Sequence, residues 1–292
     1  MSTAVAIEDV PCLICETLNT SEAIECRECS APMALVHDSI AQERAPQIVS
    51  IVGDSNVGKT VYLGFLLDML SQRANDFEAI PRGAYSVNLP QQVISHMAYR
   101  MFPPKTPVDA QDWYWAYFQV GLRGRKHKWI DLVMPDMAGE AIAAEIERPK
   151  TFTVIRNLLG KSSGVLLLVD AAQAANGSTK PDFFALKMLS YIDSIYATKR
   201  NKRIGMPIGV VLCKGDYCPE CFDDPAGFTE ANLNRTWNFA RNRLSTVSFF
   251  ATSVVGSLGY ATSAKDDVVT PVPLHTALRG VMEPFEWIGA QI

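Results

Sequence analysis

QIVSIVGDSNVGKTVYLGFLLDML, residues 47–70, decides the fold. QIVSIVG is an apolar, β-branched run and VYLGFLLDML is apolar on nearly every side, with G-x-x-x-x-G-K-T between them. Strand, glycine loop and helix in that order is the context in which this motif holds phosphate. Gly53 and Gly58 let the backbone curl, so that N–H groups from Asp54, Ser55, Asn56 and Val57 onward face an anion at the positive end of the helix. Lys59 is placed to reach the β- and γ-phosphates as a point charge, and the Thr60 hydroxyl to ligate Mg²⁺. A nucleoside triphosphate is the ligand implied. The plainer reading is a glycine turn before an ordinary helix.

Outward from that stretch, the pattern alternates between β-type runs and amphipathic segments, which argues for an α/β domain around a mainly parallel sheet. Six strands are expected, at 47–53, 115–122, 128–136, 164–170, 208–214 and 247–253, and helices at 59–73, 139–159, 182–198, 227–244 and 274–289. The basic turn RGRKH after Leu122 reads as a hairpin, so one strand is expected to run antiparallel. Residues 75–112, proline-rich and without a clean period, read as one long functional or mobile connection. The 292 residues suffice for one large domain, or a standard domain with a small appendage. A formal charge of −4 gives no global pull toward nucleic acid or an anionic membrane. The basic clusters RGRKHK (123–128) and KRNKR (199–203) read as solvated faces. The N-terminus lacks a basic and apolar leader pattern, and the longest apolar run, GVLLLV, is too short to span a bilayer, so a cytoplasmic protein is expected.

Three further motifs follow in order. DMAG, Asp136–Gly139, ends the third expected strand, where a carboxylate can hold Mg²⁺ and the Gly139 N–H can meet a γ-phosphate; an aspartate there is also a common turn residue. CKGD, Cys213–Asp216, ends the fifth and resembles the [NT]-K-x-D box of GTPases, which implies a carboxylate at Asp216 accepting from guanine N1 and its exocyclic amine while the Lys214 stem covers the base; the plainer reading is a polar loop after a strand. ATS, ending at Ser253, closes the sixth. Together with the phosphate loop these motifs resemble the four boxes of the translation-factor-related class of P-loop GTPases, over most of residues 47–256. Cys213 departs from the Asn or Thr of that class. The resemblance implies a Ras-like fold, GTP/GDP with Mg²⁺, and a backbone N–H at Ser253 on the guanine oxygen.

It also implies a switch threonine before the second strand. Thr106, in FPPKTPVD, is the choice, with Ser86 the other credible hydroxyl. Glu140 follows DMAG where Ras-like proteins carry a glutamine that orients water, which implies slow turnover or a partner's help; its other reading is a cap on the following helix. Asn56 matches an asparagine that, in GTPases similar to the tRNA-modification and ribosome-assembly types, ligates K⁺. Lys59, Glu140, Thr106 and Asn56 are thus the candidate catalytic residues.

Seven cysteines fall in two groups. Cys12, Cys15, Cys26 and Cys29 form C-x2-C-x10-C-x2-C, and two such pairs supply four thiolates at zinc spacing in a module too small for a core of its own. With Asn19 the pattern is similar to Ran-binding-protein-type zinc fingers, without their flanking tryptophan. Cys213, Cys218 and Cys221 read as loop cysteines near the base, or less readily as a second metal site. The expected organisation is a zinc ribbon at 1–36, a linker at 37–46 and a GTPase domain at 47–292. Ribbon, extended switch loop and C-terminal segment resemble the bacterial double-GTPase group, suspected switches in conflict and defence systems. Two functions remain open: a GTP-hydrolysing switch whose ribbon docks a partner, and a nucleotide-binding scaffold with negligible hydrolysis that recruits a protein or a nucleic acid.

Overall fold

The structure, a computed structural model, describes residues 9–41, 43, 45–72, 77–122, 129–196, 203–262 and 269–292. Both basic clusters fall outside these, apart from Arg203.

The chain begins with an antiparallel pair, β1 (Asp9–Pro11) and β2 (Leu18–Thr20), and helix α1 (Ala34–Ala41). Next come β3 (Gln47–Gly53), α2 (Lys59–Ser71), β4 (Phe77–Pro81), α3 (Tyr85–Ala98), a single 3-10 turn (Ala110–Asp112), β5 (Trp115–Leu122) and β6 (Trp129–Pro135). The middle holds α4 (Gly139–Glu147), α5 (Thr153–Lys161), β7 (Gly164–Asp170), α6 (Ala171–Ala175), α7 (Lys180–Tyr196) and β8 (Ile208–Cys213). A second 3-10 turn (Gly215–Tyr217) leads into α8 (Glu220–Asp223), α9 (Pro225–Asn232), α10 (Asn234–Arg243) and β9 (Val247–Ala251). The chain closes with β10 (Ser253–Thr262), β11 (Val269–Arg279) and α11 (Glu283–Gln291).

One sheet, ordered β4-β5-β6-β3-β7-β8-β9, organises the molecule. β3 pairs parallel with β6 and β7, and β7, β8 and β9 continue in parallel. β5 runs antiparallel to both its neighbours, as the expected hairpin requires. Both faces of the central strands are covered, which is why β7 and β8 are buried at every position. The alternation of β3 sends Ile48 and Val52 to the layer holding α5 and α7, and Val49 and Ile51 to the layer under α2 and α3. Leu63, Leu66, Leu67 and Leu70 of α2 are almost wholly buried, each worth about 2 kcal/mol in surface removed from water. Among the described residues no helix is long and apolar enough to cross a membrane.

Several expectations need correction. The sheet has seven strands rather than six, because residues 75–112 are no bare connection: they contain β4 and α3. Pro90 inside α3 hid its period. Helix 139–159 is two helices, broken where Pro149 pushes Arg148 out of helical geometry (φ −135°) and closed by Glu145, whose carboxylate accepts from the N–H groups of Lys150 (3.0 Å) and Phe152 (2.7 Å). Helix 227–244 likewise breaks at Leu233, and Asp182 accepts from Thr236 N at 2.9 Å in the first turn of α10. The helix expected at 274–289 begins as strand: through Arg279 the segment pairs with β10 as a separate two-stranded ribbon, and Gly280, at φ +68°, ends that strand. α11 begins only at Glu283.

Helix α1 spans the expected boundary between ribbon and linker at 36/37, and its Leu35 and Val36 are buried. They join Ile14 and Met33 of the cysteine module in the same apolar cluster as Trp113, Trp115 and Val133. Lys161, at the end of α5, ties the module down with a hydrogen bond to Leu13 O (2.9 Å) and an ion pair to Glu16 (2.8 Å).

Candidate functional site

The loop from Gly53 to Thr60 leaves the buried strand β3 at its carboxyl end and enters α2 through Gly58, whose φ of +101° favours glycine. Asn56, at φ +62°, is exposed and lines a cavity of about 820 Å³. Lys59 is almost fully buried and turns its Nζ back on its own loop, donating to Gly53 O (3.1 Å) and Asp54 O (2.9 Å). Burial pushes this ammonium down, and Asp136, Glu140 and Asp54 pull it back up. Asp54 is itself paired with Lys180 at 3.0 Å.

Three oxygen-bearing side chains from distant segments meet beside Lys59. The Thr60 and Thr106 hydroxyls are 2.9 Å apart, and each also reaches Asp136, Thr60 at 3.0 Å and Thr106 at 2.9 Å from Oδ2. Asp136 is buried, and burial raises its pKa against the hydrogen bond from Thr106 and the charge of Lys59. These are hard oxygen donors of the kind Mg²⁺ takes. Ser86, the other hydroxyl considered, is committed elsewhere: it donates to Arg82 O and accepts from Tyr117 N.

Gly139, at the start of α4, leaves no room for a side chain, since a Cβ there would lie 2.6 Å from Ser55 N and 2.7 Å from Lys59 Nζ. Glu140 stands in the first turn of that helix. Its Oε1 accepts from Ser55 Oγ (2.6 Å) and pairs with Lys105 Nζ (3.1 Å). The Ser55 hydrogen bond first, then Lys105 after the opposing cost of burial, hold this carboxyl down at about 2.

The far end of the cavity is built by the loops after β8 and β9 and by the ribbon β10–β11. Lys214 sits in the left-handed region (φ +60°), its Nζ 2.5 Å from Asp170 at the end of β7. Ser253 Oγ donates to Asp216 Oδ1 at 2.8 Å, and Gly215 N to Thr252 O at 3.1 Å. Cys213 is buried, its thiol pushed up by burial and directed to Val211 O. It ties nothing to the phosphate loop, and the Lys214–Asp170 pair anchors its loop instead. Cys218 and Cys221 lie behind, sulfurs 4.0 Å apart. Val255, Leu258, Tyr260 and Pro271 of the ribbon complete the wall.

Sequence reasoning missed Lys105, Asp170, Lys180 and the ribbon. Asp170 carried a signal, an acid ending a buried strand in the row of strand ends that forms such sites. Lys105 carried none.

The four N-terminal sulfurs lie within 4.8 Å of one another, with Cys12–Cys29 at 3.6 Å and Cys15–Cys26 at 3.4 Å. A hydrogen bond from Cys29 pulls Cys12 down to about 5, and Cys29 rises in consequence. Ile14 N donates to Cys12 Sγ at 3.4 Å and Glu28 N to Cys26 Sγ at 3.5 Å. This donor set fits a tetrahedral ion such as zinc. Asn19 is buried, and its amide reaches Thr17 O, Cys26 Sγ and Arg27 N, so it braces the module from inside.

Among solved structures the chain is similar to nucleolar GTP-binding protein 1 of Plasmodium falciparum (17% identity, 71% of this chain and 77% of that one, TM-score 0.38). It is similar to the Ski7 GTPase-like domain of S. cerevisiae bound to GTP (16%, 75% of this chain, TM-score 0.39), of whose chain it covers only 45%. The signal recognition particle receptor SRb-GTP/SRX complex of Chaetomium thermophilum is a third (14%, 73% of this chain and 93% of that one, TM-score 0.40). No curated protein matches. The Double-GTPase 1 family model matches residues 50–213, from β3 through the end of β8 and over more than half of the chain, and the chain belongs to the Double-GTPase 1 family.

Proposed function

We propose that the chain binds GTP with Mg²⁺ in the 820 Å³ cavity, hydrolyses it slowly, and signals its nucleotide state to a protein docked at the cysteine module. The observation that carries this reading is the meeting of Thr60, Thr106 and Asp136 within 3.2 Å beside the Lys59 ammonium. Thr60 and Thr106 hydroxyls and the Asp136 carboxylate would hold Mg²⁺, which when bound offsets charge on the β- and γ-phosphates. The loop amides from Gly53 to Thr60 and the Gly139 N–H surround the phosphates, and Lys59 exchanges its two carbonyl partners for phosphate oxygens. At the base end Ser253 fixes one oxygen of Asp216, so that the carboxylate faces guanine N1 and its amine while the Lys214 stem lies over the ring. Glu140 accepts from the attacking water. Asn56, exposed at the phosphate end, is the proposed K⁺ ligand.

Cys12, Cys15, Cys26 and Cys29 hold zinc in this reading. Residues 9–33 carry five carboxylates against one arginine, and four thiolates on Zn²⁺ add further negative charge, which favours a basic protein over nucleic acid as partner. The link from the module to the switch segment runs through Trp113 and Tyr114: both line one cavity with Ser21, Ile24 and Pro32 of the module, Trp113 Nε1 donates to Pro107 O at 2.9 Å, and Tyr114 O accepts from Asp136 N at 2.8 Å. A setting in bacterial conflict or defence is carried over from the family resemblance.

Phosphate release from GTP and ATP under multiple turnover, in K⁺ and in Na⁺, tests the reading. Release from GTP alone, faster in K⁺, is expected. Tight GTP binding with no release in either salt would replace the enzyme with the scaffold, a reading favoured by the charge of Glu140.

A further inference from the structure

Lys105 and Thr106 stand side by side in PPKTP, a segment that three prolines, Pro103, Pro104 and Pro107, hold extended. Successive side chains of an extended chain point opposite ways. Here they reach two acidic residues four positions apart: Thr106 meets Asp136, and Lys105 meets Glu140 at 3.1 Å. Glu140 Oε1 also accepts from Ser55 Oγ at 2.6 Å, so one carboxylate oxygen receives a hydroxyl from the phosphate loop and an ammonium from the switch segment. Glu140, Ser55 and Lys105 all line the phosphate end of the cavity. A carboxylate there, unscreened, would repel the outermost phosphate of a triphosphate but hardly touch a diphosphate, because Coulomb repulsion falls with distance.

Resting on the reading of the cavity as a GTP site, we propose that Lys105 is a positioning residue that cancels the charge of Glu140 and so sets the preference for GTP over GDP. Lys105 also arrives on the same dipeptide as Thr106. Closure of the switch segment therefore brings the compensating cation and the hydroxyl together, and an open segment would leave Glu140 with the Ser55 hydroxyl but no countercharge. A glutamine at 140 would need no such partner.

A double-mutant cycle tests this, read as the ratio of GDP to GTPγS dissociation constants in Mg²⁺, with fluorescent nucleotides. Lys105→Ala is expected to lower the GTPγS preference ~10-fold, Lys105→Arg to keep it, and Glu140→Gln to restore it in the Lys105→Ala background. Lys105 is two-thirds exposed, so its removal leaves the core intact, and a thermal melt checks that. An unchanged ratio in Lys105→Ala overturns the proposal, as does a loss that persists in full beside Glu140→Gln. Wild-type protein that binds neither nucleotide overturns the site reading itself and the proposal with it. Failure confined to the variants overturns only the part given to Lys105.

Discussion

Thr106 and Asp136, 30 residues apart in sequence, meet through a hydrogen bond of 2.9 Å in which the threonine donates. The contact closes the segment after α3 onto the end of β6, and Thr60 of the phosphate loop joins both. In the proposed site the Thr106 hydroxyl is one of the oxygens that would hold Mg²⁺, and removing it would take that oxygen away. Thr106→Ala should weaken GTPγS binding ~10-fold in Mg²⁺ and GDP binding much less. Titration with and without EDTA checks this, since the difference should vanish when the metal is removed.

Glu140 offers a pH test. Its carboxyl is held down from 4.5 to about 2, first by the Ser55 hydrogen bond. A depressed folded value means a stabilising contribution that is complete above the unfolded pKa of about 4.5 and fades as pH falls toward 2. Carboxyl NMR titration should therefore find Glu140 still ionised at pH 3.5, and substantially protonated there in Ser55→Ala. An unshifted Glu140 in the wild-type protein would remove the Ser55 contact from the solution structure.

In the proposed site Asp216 would set the choice of base. Asp216→Asn trades an acceptor for a donor opposite guanine N1 and should cost GTP ~100-fold in affinity without improving ATP comparably. Ser253→Ala, which frees the Asp216 side chain, should cost ~5-fold. Competition titration with GTP, GDP, ATP and ITP reads both. Equal loss for ITP, which lacks the amine, would point to the loop rather than the carboxylate.

The cysteine cluster predicts one zinc per chain by elemental analysis, lost in Cys26→Ser. Its thiolates bind only when deprotonated, so chelator resistance should fall as the solution is acidified. Loss of zinc should lower the melting temperature by several degrees, because the module shares a cluster with Trp113 and Trp115.

Much of this was legible in the sequence because each motif sits where a buried strand ends. QIVSIVG, KWIDLVMP and IGVVLC announce themselves by apolar runs, and GDSNVGKT, DMAG and CKGD follow them directly. Even Thr106 could be picked out by its prolines. What failed were segments whose local signals compete. Pro90 hid α3, and LHTALRGVMEPFEWIG looks helical until pairing of Val269–Arg279 with β10 decides otherwise. Lys105 was hidden for another reason: an ion pair across 35 residues leaves no local pattern, whereas Asp170, which pairs across 44, at least stood at the end of a buried strand.

The shared apolar cluster has a practical consequence for dissecting the chain. Ile14, Met33, Leu35 and Val36 belong to the apolar cluster that buries Trp113 and Trp115 and so form part of its cover, and Trp113 donates to Pro107 O beside Thr106. Starting an expression fragment at the phosphate-loop strand would strip that cover and present bare indole rings to solvent, an invitation to aggregation. A chain starting at Gln47 should therefore aggregate on heating at a lower temperature than one that keeps the cysteine module.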